Sequence, residues 1–158
     1  MGLGCWLYFV VGEVCGWRRA HRCGTSAPGD GTHAGSLGLA REEGEAARLS
    51  SVRRLAAEYG ATVLLKGSTT LVADAVGGPV RGNPTGTSWL ATAGSGDVLS
   101  GLGGSLLASG LDAREAASVA AYVHGLAGRH AAGREGAPIG ASDVATTLAT
   151  AWRDIAAT

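Results

Sequence analysis

The chain has 158 residues, a one-domain length at which folding buries roughly 70% of the surface that the unfolded form exposes. Its 13 Lys and Arg balance 13 Asp and Glu, aromatics make up 5%, and no basic stripe runs along it, which excludes nucleic acid as the main partner. The 27 glycines are too many for a plain helical bundle and follow no collagen-like period, so they read as turns and close contacts in an α/β protein.

The apolar run from Leu3 to Val14 contains Glu13 and is too short to span a bilayer. It lacks a basic leader and a small-residue cleavage site, and Trp6 stands where a myristoylation signal wants a hydroxyl, so the expectation is a cytoplasmic protein with no membrane partner. Periodicity does not decide whether this run is strand or helix. Cys5, Cys15 and Cys23 have neither C-x-x-C nor histidine spacing and read as free thiols, with no metal site. Gly24 to Gly31 is a loop by composition, and residues 1–31 form a segment in which no chemistry is visible.

From Glu42 to Tyr59 the pattern is helical, with Ala47, Leu49, Val52, Leu55, Ala56 and Tyr59 on one face and Arg48, Arg53, Arg54 and Glu58 off it. Thr62-Val63-Leu64-Leu65 is a continuous apolar run, as expected of a buried parallel strand ending at Lys66-Gly67. Thr70 to Asp74 and Val80 to Asn83 read as further strands around a Gly77-Gly78-Pro79 turn. A helix is expected from Ser95 to Ser109, and Gly101, Gly103 and Gly104 inside it call for close packing, since each costs about 1 kcal/mol against Ala. Asp112 caps the next helix, with Glu115 placed for a capping box, and that helix runs to about Ala131. Ser142 or Asp143 opens a last helix with Leu148, Trp152 and Ile155 on one side. The order is that of an α/β fold, in which ligands gather at strand carboxyl ends.

Thr92 to Gly101 carries the strongest signal. Small residues let a ligand approach the backbone, and a helix starting at Ser95 to Asp97 offers free N–H groups and a positive dipole end to an anion. Asp97 repels phosphate, so its chemistry is proton acceptance or metal support; the bland alternative is a first-turn carboxylate facing the dipole. Gly94-Ser95-Gly96 matches neither a Walker loop nor a dinucleotide fingerprint. Lys66, followed by Gly67, Ser68, Thr69 and Thr70, suits phosphate oxygens; a solvated turn lysine is the alternative. Thr85, in Asn83-Pro84-Thr85-Gly86, is either a turn residue or a ligand neighbour. His124 reads as a packed histidine, His130 as solvated and His33 as a loop residue, and Ser95 has no identifiable base partner.

Taken together, Val63 to Gly67 with Thr70, Asn83-Pro84-Thr85-Gly86, Leu90 to Gly101, Tyr122 to Gly128 and Ala141-Ser142-Asp143 resemble, in order and spacing, the C-terminal part of the ADP/ATP-dependent NAD(P)H-hydrate dehydratases of the ribokinase-like superfamily. The resemblance covers residues 32–158. It implies a three-layer α/β/α sandwich that dehydrates hydrated NADH or NADPH, with ADP (or ATP) and Mg²⁺, and relatives that form homo-oligomers. It further implies that Lys66 to Thr70 hold the nucleotide phosphates and that Gly94, Ser95 and Gly96 contact the nucleotide. Asp97 would be the catalytic base and meet the hydrated cofactor, and His33 would lie on the substrate side. Departures are Ala93 for Gly, Thr87-Ser88-Trp89 for Asn-Pro-Gly, and Thr32 and Ser36 for the Pro and Glu flanking His33. Residues 1–31 match nothing in the family, so an N-terminally truncated sheet with exposed edges is expected. A ribokinase-like small-molecule kinase and a non-catalytic nucleotide-binding remnant are the alternatives.

Overall fold

The computed structural model describes residues 8–14, 17–23 and 45–157, with side chains from residue 48 onward. Cys5, Cys15 and His33 lie outside the described residues, as does the side chain of Cys23. The elements are β1 (Tyr8–Val14), β2 (Trp17–Cys23), α1 (Glu45–Tyr59), β3 (Thr62–Leu65), β4 (Thr70–Ala73) and β5 (Arg81–Asn83), followed by a 3-10 turn at Ser88–Leu90, then α2 (Ser95–Ala108), α3 (Ala113–Ala132) and α4 (Ala141–Ala156).

Alternation along β3 and β4 sets the layers. Val63 pairs with Ala73 and Leu65 with Leu71, and these four pack on Val52, Leu55 and Ala56 of α1. Leu64 pairs with Val72, and these two face the other way, onto Leu99, Leu106 and Leu107 of α2 and Ala116, Ala117, Ala120 and Ala121 of α3. The result is a three-layer α/β/α arrangement, with α4 laid on α3 through Val144 and Ala151. Each fully buried Leu or Val on the two faces stabilises by about 1.5–3 kcal/mol.

The strand order is β2-β1-β3-β4-β5. Every pairing among the described strands is antiparallel, so the parallel expectation for β3 is corrected. Residues 66–69 alone join β3 to β4, and a parallel crossover needs a dozen residues or more. The continuous apolar run of β3 reflects helices on both its faces, which burial by itself produces whatever the strand direction. The early chain adds two strands, so β3 is flanked by β1 rather than left as an exposed edge.

Four local readings change. The buried stripe of α1 runs Arg48, Val52, Leu55, Ala56, while Leu49 and Tyr59 are exposed. Glu115 donates its amide to Asp112, but its carboxylate leaves the capping box to pair with Arg81 (2.5 Å), which also donates to Ser118. Gly140 is the N-cap of α4, two or three residues earlier than expected, and its amide donates to the Asp143 carboxylate. Trp152 and Ile155 do not enter the core; with Tyr122 they line an open apolar groove of about 260 Å³ between α3 and α4.

The glycines of α2 are less crowded than expected. A Cβ at Gly103 would only touch Ala120, at 3.8 Å, and at Gly101 or Gly104 it would meet no described atom within 4 Å. The alanine-rich face of α3 already supplies the short side chains that closeness needs. The crowded glycine is Gly125 of α3, where a Cβ would collide with Thr85 Oγ1 and lie 3.1 Å from the Gly86 amide nitrogen. Gly125→Ala is therefore expected to lose about 1–3 kcal/mol in urea unfolding, despite its better helix propensity. Gly101→Ala, on the exposed side of α2, is expected to gain up to about 1 kcal/mol.

Candidate functional site

Lys66 follows the last residue of β3, and Ser95 is the first residue of α2. The Lys66 ammonium donates to Ser95 Oγ at 3.2 Å. This contact brings the end of a central strand to the N-terminal turn of a helix, the pairing of features that sequence reasoning singled out separately. Lys66 is also the chain's single lysine.

The turn itself is shaped by Gly94, which precedes α2 with φ 80, a left-handed conformation that favours glycine. Gly94 has no side chain to cap the helix, whereas α3 is capped by the Asp112 carboxylate. The Asp97 and Val98 amides both turn back to the Gly94 carbonyl, at 2.9 and 3.2 Å. Ser95 and Gly96 are buried and Asp97 is exposed, so a single turn carries small residues inward and a carboxylate outward.

The loop 66–69 is backed by Arg48, which sequence periodicity placed on the solvent side of α1. Arg48 is only 7% exposed, and its Nη2 donates to the Thr69 carbonyl at 2.6 Å. Its guanidinium also lies where a Cβ on Gly67 would be. Gly67 is thus the residue that lets the loop rest on an arginine. A basic residue at helical spacing with buried apolar positions (48, 52, 55, 56) was the available signal, and it is a weak one.

His124, on α3, is 3% exposed. Its Nε2 lies 2.9 Å from the Ser95 carbonyl oxygen and 3.3 Å from Ser95 Oγ. A carbonyl only accepts, so Nε2 carries the hydrogen, and the same N–H faces both oxygens of Ser95. The imidazole therefore does not serve as a base toward the Ser95 hydroxyl, and no nucleophilic serine arises. Burial, together with the positive charge of Lys66, pushes the His124 pKa down to about 4 against the opposing pull of the Ser95 carbonyl, so the ring is neutral at physiological pH.

The loop before α2 is held from the same helix. Thr85 Oγ1 donates to Asn83 Oδ1 at 2.8 Å and reaches the Tyr122 carbonyl at 3.5 Å. Leu90 covers Gly128 so closely that a Cβ there would lie 2.7 Å from its side chain. His130 is exposed, as its sequence context suggests, and it also pairs with Asp154 at 2.9 Å, tying α3 to α4. Among the described residues, no group of three or more His, Cys, Asp or Glu is placed to hold a metal, and no helix is long and apolar enough to cross a membrane.

The structure thus brings Lys66, Gly94, Ser95, Gly96 and Asp97 to one place, with Gly67 to Thr70 beside them in the adjoining loop. His33 is outside the described residues.

Comparison with known proteins gives a consistent set of relatives. A family model described as NAD(P)H-hydrate dehydratase matches residues 35–150. A bifunctional NAD(P)H-hydrate repair enzyme Nnr of Mycobacterium leprae is 54% identical over 100 residues, which is 63% of this chain and 20% of that protein. An ADP-dependent (S)-NAD(P)H-hydrate dehydratase of Neisseria meningitidis is 48% identical over 91 residues, 58% of this chain and 30% of that protein. The matches therefore span about a fifth to a third of these relatives. The solved structure of Bacillus subtilis YxkO, described as a UPF0031 family member and candidate kinase, superposes with TM-score 0.61 and 29% identity over 68% of this chain and 40% of that one.

The displaced pKa of His124 has a measurable consequence for stability. Between the usual 6.5 and about 4, the unfolded chain takes up a proton that the folded chain refuses. Stability from this group is fully present above pH 6.5, falls as pH drops toward 4, and is lower by about 3 kcal/mol at the acid end. Urea unfolding across this window is expected to show the slope, and His124→Gln to remove that part of it while the carboxylate contributions stay.

Proposed function

Because this chain belongs to the NAD(P)H-hydrate dehydratase family, with the α/β/α ribokinase-like fold that this membership and the YxkO match give it, we propose that it acts in the ADP-dependent dehydration of hydrated NADH or NADPH. One observation carries the reading: the Lys66 ammonium meets the opening residue of α2, in the turn that bears Asp97.

The residues present suit a nucleoside diphosphate. A phosphate needs compensating charge and N–H donors. Lys66 supplies the first, and a helix N-terminus with no side-chain cap supplies the second. Ser68, Thr69 and Thr70 add hydroxyls, and Gly67, Gly94 and Gly96 let the ligand approach the backbone. ADP supplies the phosphoryl group that converts the ring hydroxyl into a leaving phosphate. Asp97 accepts the hydroxyl proton, and its exposed position in the first turn leaves room for a second ligand facing the phosphates. With the terminal P–O bond of ADP broken and AMP left behind, loss of phosphate from the ring carbon and of a proton from the neighbouring ring carbon then restores the double bond of the reduced nicotinamide. Mg²⁺ bound together with the nucleotide would offset phosphate charge during transfer.

The division at residue 31 belongs to this proposal: residues 32–158 carry the chemistry, and the preceding segment contributes β1 and β2 to the sheet. His33 is assigned to the substrate side on sequence resemblance alone. The setting proposed is the cytoplasm, with hydrated NADH or NADPH and adenine nucleotide as partners and a homo-oligomer as the working form.

The purified chain given hydrated NADH, ADP and Mg²⁺ is expected to restore nicotinamide absorbance. Asp97→Asn is expected to lower that rate by about 10²–10⁴-fold while leaving ADP affinity within a few-fold. Unchanged turnover in the mutant would remove Asp97 from the base role. Accumulation of a stable phosphorylated product in place of the reduced nucleotide would favour a kinase.

A further inference from the structure

Three polar groups from three elements meet at Ser95. Lys66 Nζ at the end of β3 donates to its hydroxyl at 3.2 Å. His124 Nε2 on α3 donates to its carbonyl at 2.9 Å and faces its hydroxyl at 3.3 Å. Ser95 is itself fully buried, so these contacts form out of water, where a lost partner is costly.

We propose that His124 is a positioning residue for the anion site: its Nε2–H holds both oxygens of Ser95, and through Ser95 it fixes the Lys66 ammonium and the first turn of α2. The geometry explains why the group is an imidazole. A hydrocarbon would leave the Ser95 carbonyl without this donor. A lysine or arginine in its place would set a second buried cation beside Lys66. A neutral ring with one N–H satisfies the carbonyl and adds no charge beside Lys66.

The segment around His124 is built to the same end. Tyr122 accepts from Thr85 through its carbonyl, and Gly125 admits the Thr85–Gly86 backbone on the neighbouring face. The ring is therefore held on a helix whose docking against the loop before α2 leaves little play. Its neighbours on α3 (Ala120, Ala121, Ala127) are buried, and the histidine is only 3% exposed.

This proposal rests on the nucleotide reading for its consequence, but the linkage can be tested without any ligand. Lys66 is the chain's single lysine, so its reactivity toward an amine-acylating reagent can be followed by peptide mass spectrometry, apart from the N-terminal amine. In ligand-free protein, His124→Leu is expected to speed Lys66 acylation about fivefold, as the ammonium loses its fixed acceptor. His124→Gln, whose terminal amide reaches to about the same place as Nε2, is expected to stay within about twofold of the parent. Ser95→Ala is expected to behave like His124→Leu.

A purely structural histidine would change the melting temperature and leave Lys66 reactivity per folded molecule alone; that result, or a glutamine variant as reactive as the leucine one, overturns the proposal. If the leucine variant does not fold, equal rates for Ser95→Ala and His124→Gln overturn it in the same way. With ADP as the probe, His124→Leu is expected to weaken binding about tenfold and His124→Gln to recover it. Failure of saturating ADP to protect Lys66 in the parent would sink the nucleotide reading, and the ligand-free rates would still decide the role of His124.

Discussion

The 3.2 Å contact between Lys66 and Ser95 depends on where two elements end, and that is decided by packing far larger than the contact itself. Leu64 and Val72 place one face of the sheet against Leu99, Leu106 and Leu107, which fixes how α2 lies over β3. On the other face, Val63 and Leu65 lock β3 under α1. With both faces held, the end of β3 and the start of α2 have no independent freedom. A cation and a helix N-terminus kept together in this way are pre-organised for the anion site proposed for them, which would lower the ordering cost of binding.

The same helix that covers the sheet also supports the site from beneath. Between Tyr122 and Gly128, α3 offers a carbonyl to Thr85, an N–H to Ser95, and two gaps that Thr85–Gly86 and Leu90 fill. These demands differ in kind. One is met by backbone, one by a ring nitrogen, and two by the lack of a side chain. Together they account for the residue type in the run Tyr-Val-His-Gly-Leu-Ala-Gly at three of its seven positions, His124, Gly125 and Gly128.

Local chemistry made much of this legible in the chain. Gly-Ser-Gly-Asp ahead of an apolar helix marked the start of α2 at Ser95, and the apolar run 62–65 marked β3 to the residue. What local chemistry could not carry was pairing and depth. The parallel expectation for β3 failed because burial on two faces leaves the same apolar signature in either strand direction. Arg48 was read as solvated because its charge, not its reach, dominates a periodicity argument; the structure buries its stem and delivers its head to the Thr69 carbonyl. His124 was placed correctly among packed residues, yet its partner lies 29 positions away, and no spacing rule connects them. Leu148 of α4 packs against the core, but Trp152 and Ile155, on the same predicted stripe, stay at the rim of a groove whose α3 side is formed by Ser118, Val119, Tyr122 and Val123.

Charge economy ties the site to the composition of the chain. A protein with 13 cations and 13 anions has no broad field to draw an anion in, so attraction has to be local. Arg48 is already buried behind the 66–69 loop, and a further buried cation at the position of His124 would repel Lys66 and lose solvation. The fold takes another course. His124 lies close enough to Ser95 to fix it, and its burial keeps it uncharged down to a pH of about 4. Positive potential at Ser95 then comes from the Lys66 ammonium and from peptide dipoles, with the Arg48 guanidinium behind the adjoining loop. Asp97 lies on the exposed side of that same turn, where water can stabilise its negative charge until a ligand displaces it. A carboxylate buried beside Ser95 would pair with Lys66 and cancel the charge that an anion needs. The proposed roles of this one helical turn, anion attraction and proton acceptance, both rely on that outward position.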